Sequence, residues 1–179
     1  MKKNQHNHHR HSLRLKDYNY STPGMYFITI CTRDKTCIFG DIVNGKMLLN
    51  EYGGIVHKYW FELENKFNNI ELPAFVVLPN HIHGIIHSHG YNCFVGAIHE
   101  LPLQQRRRML IPGIVGHFKM NTAKLINDKR KSPGEHVWQR NYYEHIIRNE
   151  CELNEIREYI VNNLIKWELD NENPCRGNS

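Results

Sequence analysis

Two pairs of side chains in this chain have spacings that could build a site for nucleic-acid chemistry. His81 and His83 are two residues apart at the start of an apolar stretch, so both imidazoles point to one face of a predicted strand. Tyr159 and Asn163 are four residues apart in a helical pattern, so they also share a face. Together they offer two imidazole ligands, an amide oxygen and a phenol nucleophile, a set that suits cutting and rejoining a nucleic-acid strand.

Phosphodiester chemistry explains why these residue types belong together. Attack on phosphorus adds negative charge to the non-bridging oxygens, and a divalent cation neutralises that charge. Two neutral imidazoles and one amide oxygen leave coordination positions for phosphate and water, so we expect Mg²⁺ or Mn²⁺, with the imidazoles favouring Mn²⁺. A phenol has a pKa near ~10, so the tyrosine needs a cation or a base nearby to attack at neutral pH.

Plainer readings apply to each part taken alone. Among 13 histidines the chain holds four His-x-His pairs, which are His6/His8, His9/His11, His81/His83 and His87/His89. Only His81/His83 follows a turn into an apolar strand. His87 is interpreted as an ordinary strand-end histidine, with a supporting or DNA-facing role as the alternative. Tyr159 would ordinarily be a core-rim residue and Asn163 a surface residue.

Apolar periodicity predicts the elements that must position these residues. Strands are predicted at 25–32, 70–78, 81–87 and 143–148, with a hairpin around Asn44-Gly45. Helices are predicted from an Asn50 cap to about 67, over 114–129, and from an Asn149 cap onward. The buried stripe of the last helix is Leu153, Ile156, Ile160, Leu164 and Trp167. Tyr159 and Asn163 fall at one edge of that stripe, facing a groove beside the core.

Length and composition indicate one domain with an ordinary core. The chain has 179 residues, is 40% hydrophobic and 23% charged, and carries a net charge of +5. We expect a flexible basic arm at 1–16, a single domain at 17–173 with an irregular insertion at 89–112, and a short tail at 174–179. No apolar run approaches the ~20 residues of a membrane span. The basic N-terminus has no apolar centre, so a cytoplasmic location is the default.

Positive charge is gathered in blocks that could follow a phosphate backbone. Residues 1–16 hold no acid, and residues 104–148 hold ten Lys/Arg against three acids. The segment 138–145 interleaves aromatic and polar side chains on which bases could stack. The alternative reading of the basic blocks is a solvated surface. The alternative reading of segment 138–145 is a strand that packs into the core. The candidate DNA-binding residues are Arg14, Lys16, Arg106, Arg107, Arg108, Lys119, Arg140 and Tyr142.

Several separated motifs resemble one known family. The run PNHIHG at 79–84 resembles the His-apolar-His signature of single-tyrosine HUH transposases. The runs SLRLKDYNY at 12–20, VWQRNYYEHIIR at 137–148 and EIREYIVNN at 155–163 resemble the REP-associated tyrosine transposase branch. The likeness covers about 12–88 and 113–173, in the family's order. Residues 89–112, where the family usually has a short link, depart from it.

The resemblance implies an α+β fold, with an antiparallel sheet and helices on one side, like a ferredoxin-type RNA-binding module. It implies metal-dependent cleavage of single-stranded DNA near a hairpin, through a 5′-phosphotyrosine link that leaves a free 3′-hydroxyl. His81 and His83 match the metal-binding histidines, Tyr159 the nucleophile and Asn163 a third metal ligand. The family's helix commonly continues Asn-Pro, whereas Leu164 follows Asn163 here. Relatives act as monomers or as homodimers.

Three rival readings remain at this point. A catalytically inactive protein of the same fold would bind DNA hairpins through the basic surface without cleaving them, and the inserted stretch would suit either a wider DNA-binding surface or lost activity. A second reading places the nucleophile at Tyr142 or Tyr143. A third is a metal hydrolase for a small substrate, against which the basic blocks argue.

Overall fold

A four-stranded antiparallel sheet forms the centre of the molecule. The structure is a computed structural model, and it describes residues 23–90 and 110–169. Across the sheet the strands are β4 (Ile70–Leu78), β5 (His81–Ser88), β1 (Gly24–Cys31) and β6 (Tyr143–Ile147). Each is antiparallel to its neighbour, as the family resemblance implies.

Three α-helices, a short 3-10 helix (Arg33–Lys35) and a hairpin complete the fold in the described part of the chain. The helices are α1 (Glu51–Lys66), α2 (Leu110–Arg130) and α3 (Glu150–Leu169), and the hairpin β2 (Gly40–Val43) and β3 (Lys46–Leu49) lies between β1 and α1 in sequence. Without the hairpin and α3, the order is β-α-β-β-α-β with the strand arrangement of the ferredoxin-like fold. The predicted α+β class is therefore confirmed.

The two faces of the sheet are both covered. Even-numbered side chains of β1 and β5 pack in one cluster with α1 and α2, and they are Tyr26, Ile28, Ile30, Ile82 and Ile86. Phe27 and Ile85, which point the other way, pack with Leu153 and Ile160 of α3. The expectation that the helices lie on one side was therefore wrong for α3, which covers the opposite face.

Local signals place the element boundaries close to their predicted positions. The side chain of Asn50 accepts hydrogen bonds from the amides of Tyr52 and Gly53 and so caps α1. Asn44 and Gly45 have φ of 52° and 70°, as a two-residue hairpin turn requires. The amide of Glu152 donates to the Asn149 side chain, which caps α3.

In the described residues α2 already includes Leu110, four residues before the predicted 114. Leu110 and Ile111 are buried in the core. The predicted arm, the tail and most of the predicted insertion lie outside the described residues. Within the described ranges, no helix is both long and apolar enough to cross a membrane.

Gly84 fixes how closely α1 can approach the strand that carries the imidazole pair. A Cβ at this position would lie 2.3 Å from Cζ2 of Trp60 on α1. The Trp60 ring is 1% exposed and stacks on Phe75 with ring centroids 4.6 Å apart, so it has little room to move. The glycine after His83 therefore serves packing on the face opposite the histidines.

We expect Gly84→Ala to lower the free energy of unfolding by about 1–3 kcal/mol, because the added methyl group overpacks the Trp60 site. Gly54→Ala is the matched control. Gly54 lies in the helix that carries Trp60, and a Cβ at this position meets no atom within 4 Å. That variant should be stabilised by about 0.5–1 kcal/mol. Urea unfolding followed by tryptophan fluorescence would measure both, and equal stability of the two variants would contradict the packing argument.

Candidate active site

His81 and His83 bring two ring nitrogens together on the α3 face of the sheet. Their Nε2 atoms lie 3.1 Å apart, and the rings meet nearly edge to face at 80°. Two ligands at right angles around one ion, each at about 2.1 Å from it, are about 3.0 Å apart. The observed separation therefore fits two neighbouring ligands of a single ion.

The other nitrogen of each imidazole is held by a neighbouring polar group. Asn80 donates its amide N–H to the carbonyl of Lys35, which directs its Oδ1 toward Nδ1 of His81 at 2.6 Å. Nδ1 of His81 must then carry the proton, and its Nε2 presents a lone pair. The Thr29 hydroxyl lies 2.8 Å from Nδ1 of His83 and can accept its proton in the same way. Such supporting hydrogen bonds are typical of metal-binding histidines.

Both imidazoles are neutral at physiological pH. Burial, followed by the nearby charge of Lys35, lowers the pKa of His81 from 6.5 to about 4. Burial, followed by the charge of His81, lowers the pKa of His83 to about 3. The neutral form is the one that binds metal ions. Two lone pairs at this separation repel each other, so a proton or a cation between them is required.

Tyr159, Asn163 and Trp167, at successive intervals of four residues, lie on the face of α3 that is next to the imidazole pair. The Tyr159 ring centroid is 5.2 Å from that of His83, and the Trp167 ring centroid is 5.2 Å from that of His81. Asn163 lies one turn from each of them and on the same helix face. The structure thus brings Tyr159 and Asn163 to the side of α3 that contacts the two histidines.

Within the described part of the chain, the Asn163 side chain is buried with one polar atom unpaired. It is 7% exposed, and its Nδ2 atom is buried with no hydrogen-bond partner among the described residues. A buried amide group left unpaired costs about 1–3 kcal/mol, so this N–H calls for an acceptor that the described residues do not supply. An oxygen of water or of a bound phosphate could accept from Nδ2, and the amide oxygen stays available as a ligand for Mg²⁺ or Mn²⁺.

Phe27 is the common neighbour of the rings in this site. It stacks on His83 at 5.3 Å and meets Tyr159 edge to face at 6.0 Å. Tyr143 also contacts Phe27, at 6.2 Å, and pairs with Thr29 in the sheet. Tyr159 is 41% exposed, so its phenol is accessible to a large substrate while its ring edge rests on an apolar support.

The predicted DNA-binding residues fall into two groups. Arg14, Lys16, Arg106, Arg107 and Arg108 lie outside the described residues. Among the others, Arg140 is exposed and Tyr142 is half-buried against the main core. Lys119 donates to the backbone carbonyls of Gln139 and Arg140, and burial lowers its pKa. Its ammonium therefore fixes the 139–140 segment and keeps one N–H for another acceptor.

Sequence reasoning missed the residues that support the imidazoles. Asn80 was interpreted only as a turn residue, and Trp167 only as part of a buried stripe. The contacts of Phe27 and Thr29 with His83 depend on the pairing of β1 with β5, in which Thr29 faces His83 directly. Asn80 alone carried a local signal, because a side-chain oxygen next to a metal-binding histidine can hold its ring.

A comparison with known sequences gives a relative. The chain is 44% identical over 171 residues to an uncharacterized protein of Haemophilus influenzae, covering 91% of this chain and 92% of the relative. The two belong to one family. The name of that relative assigns no activity to the family, and no family model matches this chain.

Two solved structures are similar to this chain at low sequence identity. A REP-associated tyrosine transposase bound to a REP hairpin has a TM-score of 0.49 and 20% identity, over 86% of this chain and 73% of that one. A proposed transposase from Deinococcus radiodurans has a TM-score of 0.47 and 18% identity, over 83% and 97% of the two chains. Both TM-scores lie below 0.5, so functional inference starts from this chain's own residues.

The depressed imidazole pKa values predict a loss of stability in acid. Unfolded imidazoles take up protons below about pH 6.5, whereas folded His81 and His83 stay neutral down to about pH 4 and 3. The unfolded state therefore binds more protons, and the free energy of unfolding in EDTA should fall as pH decreases from 6.5. At pH 5 the loss should reach at most about 2 kcal/mol per imidazole.

Urea titrations between pH 7.5 and 4.5 would measure this loss. The double variant His81→Asn/His83→Asn lacks both titrating groups, so its stability should depend less steeply on pH. Parallel curves for the two proteins would contradict the assignment of neutral, buried imidazoles.

Proposed function

We propose that this protein is a metal-dependent single-stranded DNA endonuclease and strand transferase of the HUH type, acting near DNA hairpins through a 5′-phosphotyrosine link. One observation carries the proposal. The exposed phenol ring of Tyr159 contacts His83, whose Nε2 atom meets that of His81 at 3.1 Å. A nucleophile beside a pair of metal-binding nitrogens is the arrangement that phosphodiester transfer needs.

The protein's own residues would act in named roles. His81, His83 and Asn163 would hold Mg²⁺ or Mn²⁺, which withdraws charge from the non-bridging phosphate oxygens. The Tyr159 oxygen attacks phosphorus, forming the tyrosine–phosphate bond as the bond from phosphorus to the 3′-oxygen breaks. The phenolic proton passes to solvent, and the leaving oxygen takes one up. Rejoining reverses these bond changes, so no ATP is consumed.

A cavity with more basic than acidic side chains supports a nucleic-acid partner. It has a volume of about 810 Å³, and its lining includes Arg33, Lys119 and Arg140 together with Asp34 and Glu135. The cavity starts at the end of the sheet that carries the imidazole pair. Cys31 pairs with His81 there, and two residues later the backbone amide of Arg33, a lining residue, donates to the carbonyl of Val137. Phosphates held there would lie at the same end of the sheet as the scissile group. Arg14, Lys16 and Arg106–Arg108 are proposed to extend this surface.

Two contacts favour Tyr159 over the other candidate nucleophiles. Its ring contacts both His83 and Phe27. Tyr143 touches Phe27 from β6, and Tyr142 packs against the main core on the other side. Tyr143 is therefore the stricter control for the assignment.

We expect Tyr159→Phe to abolish formation of a covalent protein–DNA adduct, a loss of about 10³-fold or more, because the nucleophilic oxygen is removed. The assay mixes protein, Mn²⁺ and a fluorescently labelled hairpin oligonucleotide with a single-stranded flank, and resolves the adduct on denaturing gels. Tyr143→Phe should retain adduct formation. An undiminished adduct in Tyr159→Phe, with loss in Tyr143→Phe, would reverse the assignment.

Binding measured on the same oligonucleotide separates the proposal from the inactive alternative. His81→Ala/His83→Ala should bind the hairpin with little change and fail to cleave it. Wild-type protein that binds the hairpin but yields no adduct with either Mn²⁺ or Mg²⁺ would identify a hairpin-binding protein that has lost catalysis.

Asn163→Ala tests the third ligand. Removing its amide should raise the Mn²⁺ concentration for half-maximal adduct formation by about tenfold or more, because two imidazoles alone hold the ion weakly. Asn162→Ala is the matched control, since Asn162 is the exposed neighbour on the same helix turn. An unchanged Mn²⁺ requirement in Asn163→Ala would exclude this residue from the metal site.

A further inference from the structure

A second His-x-His pair lies at the opposite end of β5. His87 and His89 are two residues apart, and the amide of His89 donates to the carbonyl of Asn69, which continues the strand pairing past Ser88. Glu71 of β4 lies directly across from His87 in the sheet. His87 comes four positions after His83, so this group lies about 13 Å along the strand from the first imidazole pair.

The three side chains direct their ligand atoms at one another. Oε2 of Glu71 lies 3.2 Å from Nδ1 of His87, and Oε1 of Glu71 lies 3.2 Å from Nε2 of His89. One nitrogen from each ring and a carboxylate oxygen all lie within 4.8 Å of one another. Neighbouring ligands of a zinc ion are about 3.0–3.5 Å apart, so only small side-chain rotations are needed to enclose an ion.

We propose that Glu71, His87 and His89 bind a divalent transition-metal ion at a second site, separate from that of His81 and His83. Two imidazoles with one carboxylate form a recurring protein ligand set for zinc and other first-row metals, with further positions left to water. Nickel and copper ions suit the same donors, whereas Mg²⁺ prefers oxygen ligands. The carboxylate of Glu71 adds a negative charge that the first site lacks among the described residues, so this site would hold a transition-metal ion more tightly than the first.

An ordinary ion pair explains less of this arrangement. A Glu–His hydrogen bond at the surface needs one imidazole and contributes little to stability. Here the two rings, with centroids 4.4 Å apart, each approach a different oxygen of one carboxylate. The side chains are 29%, 47% and 63% exposed for His87, His89 and Glu71, so an ion can enter without unfolding the sheet.

Metal binding here would join two strands where their pairing is interrupted. β4 is an edge strand of the sheet, and its register with β5 shifts between Glu71 and Ala74. An ion held by Glu71 on β4 and by both histidines of the β5 end would fasten the strands beyond that shift. Its effect should therefore appear as stabilisation of the fold.

The test counts zinc ions bound to the full-length chain by equilibrium dialysis after EDTA treatment. All proteins carry His6→Ala, His8→Ala, His9→Ala and His11→Ala, which removes the histidines of the N-terminal stretch. We expect His87→Ala/His89→Ala to bind one zinc ion fewer than this background, while His81→Ala/His83→Ala keeps that ion. Zinc at a hundredfold excess over Kd should raise the Tm of the latter variant by about 5 °C.

Each outcome decides the proposal. An unchanged zinc count in His87→Ala/His89→Ala would overturn it, as would a Tm insensitive to zinc in His81→Ala/His83→Ala. If circular dichroism shows that His87→Ala/His89→Ala is misfolded, Glu71→Gln replaces it and should weaken zinc binding at least tenfold. The zinc assay contains no DNA, so its result can be interpreted even if the proposed endonuclease activity is not found.

Discussion

The close approach of two neutral imidazole nitrogens, 3.1 Å apart, is the constraint around which this face of the sheet is arranged. Burial keeps His81 and His83 uncharged, and their rear nitrogens are held by Asn80 and Thr29. Two lone pairs so close together in a poorly solvated site are unfavourable unless a proton or a cation lies between them. A hydrogen bond between the rings or the metal ion of the proposed function would satisfy both nitrogens.

Helix α3 supplies the second half of the site through its apolar residues. Leu153 and Ile160 pack against Phe27 and Ile85 and so set the position of the helix on the sheet. Tyr159 then needs no packing role of its own, and its phenol stays exposed. The opposite side of β5 is used differently, since Gly84 there makes room for the Trp60 ring. One strand thus carries chemistry on one face and close packing on the other.

Local signals in the sequence were enough to predict most strands, the Asn50 cap and the Asn44-Gly45 turn. They were also enough to predict which faces His81/His83 and Tyr159/Asn163 share. What they could not predict depends on contacts between distant elements. The pairing of β1 with β5 brings Thr29 opposite His83, and no pattern in either strand fixes that register. The side of the sheet that α3 covers is likewise set by tertiary packing, since the helix is amphipathic in either position.

The two His-x-His pairs at the ends of β5 have different polar surroundings, which suit the two different roles proposed for them. The inner pair has hydroxyl and amide neighbours and no carboxylate contact among the described residues, so an ion there would keep most of its positive charge for a phosphate. The outer pair shares a carboxylate, which neutralises half the charge of a divalent ion and favours tight retention. The two pairs have the same His-x-His spacing. They differ in the residue across the sheet, which is Thr29 opposite His83 and Glu71 opposite His87. A carboxylate at Thr29, beside the inner pair, would therefore compete with the phosphate for the charge that the proposed reaction uses.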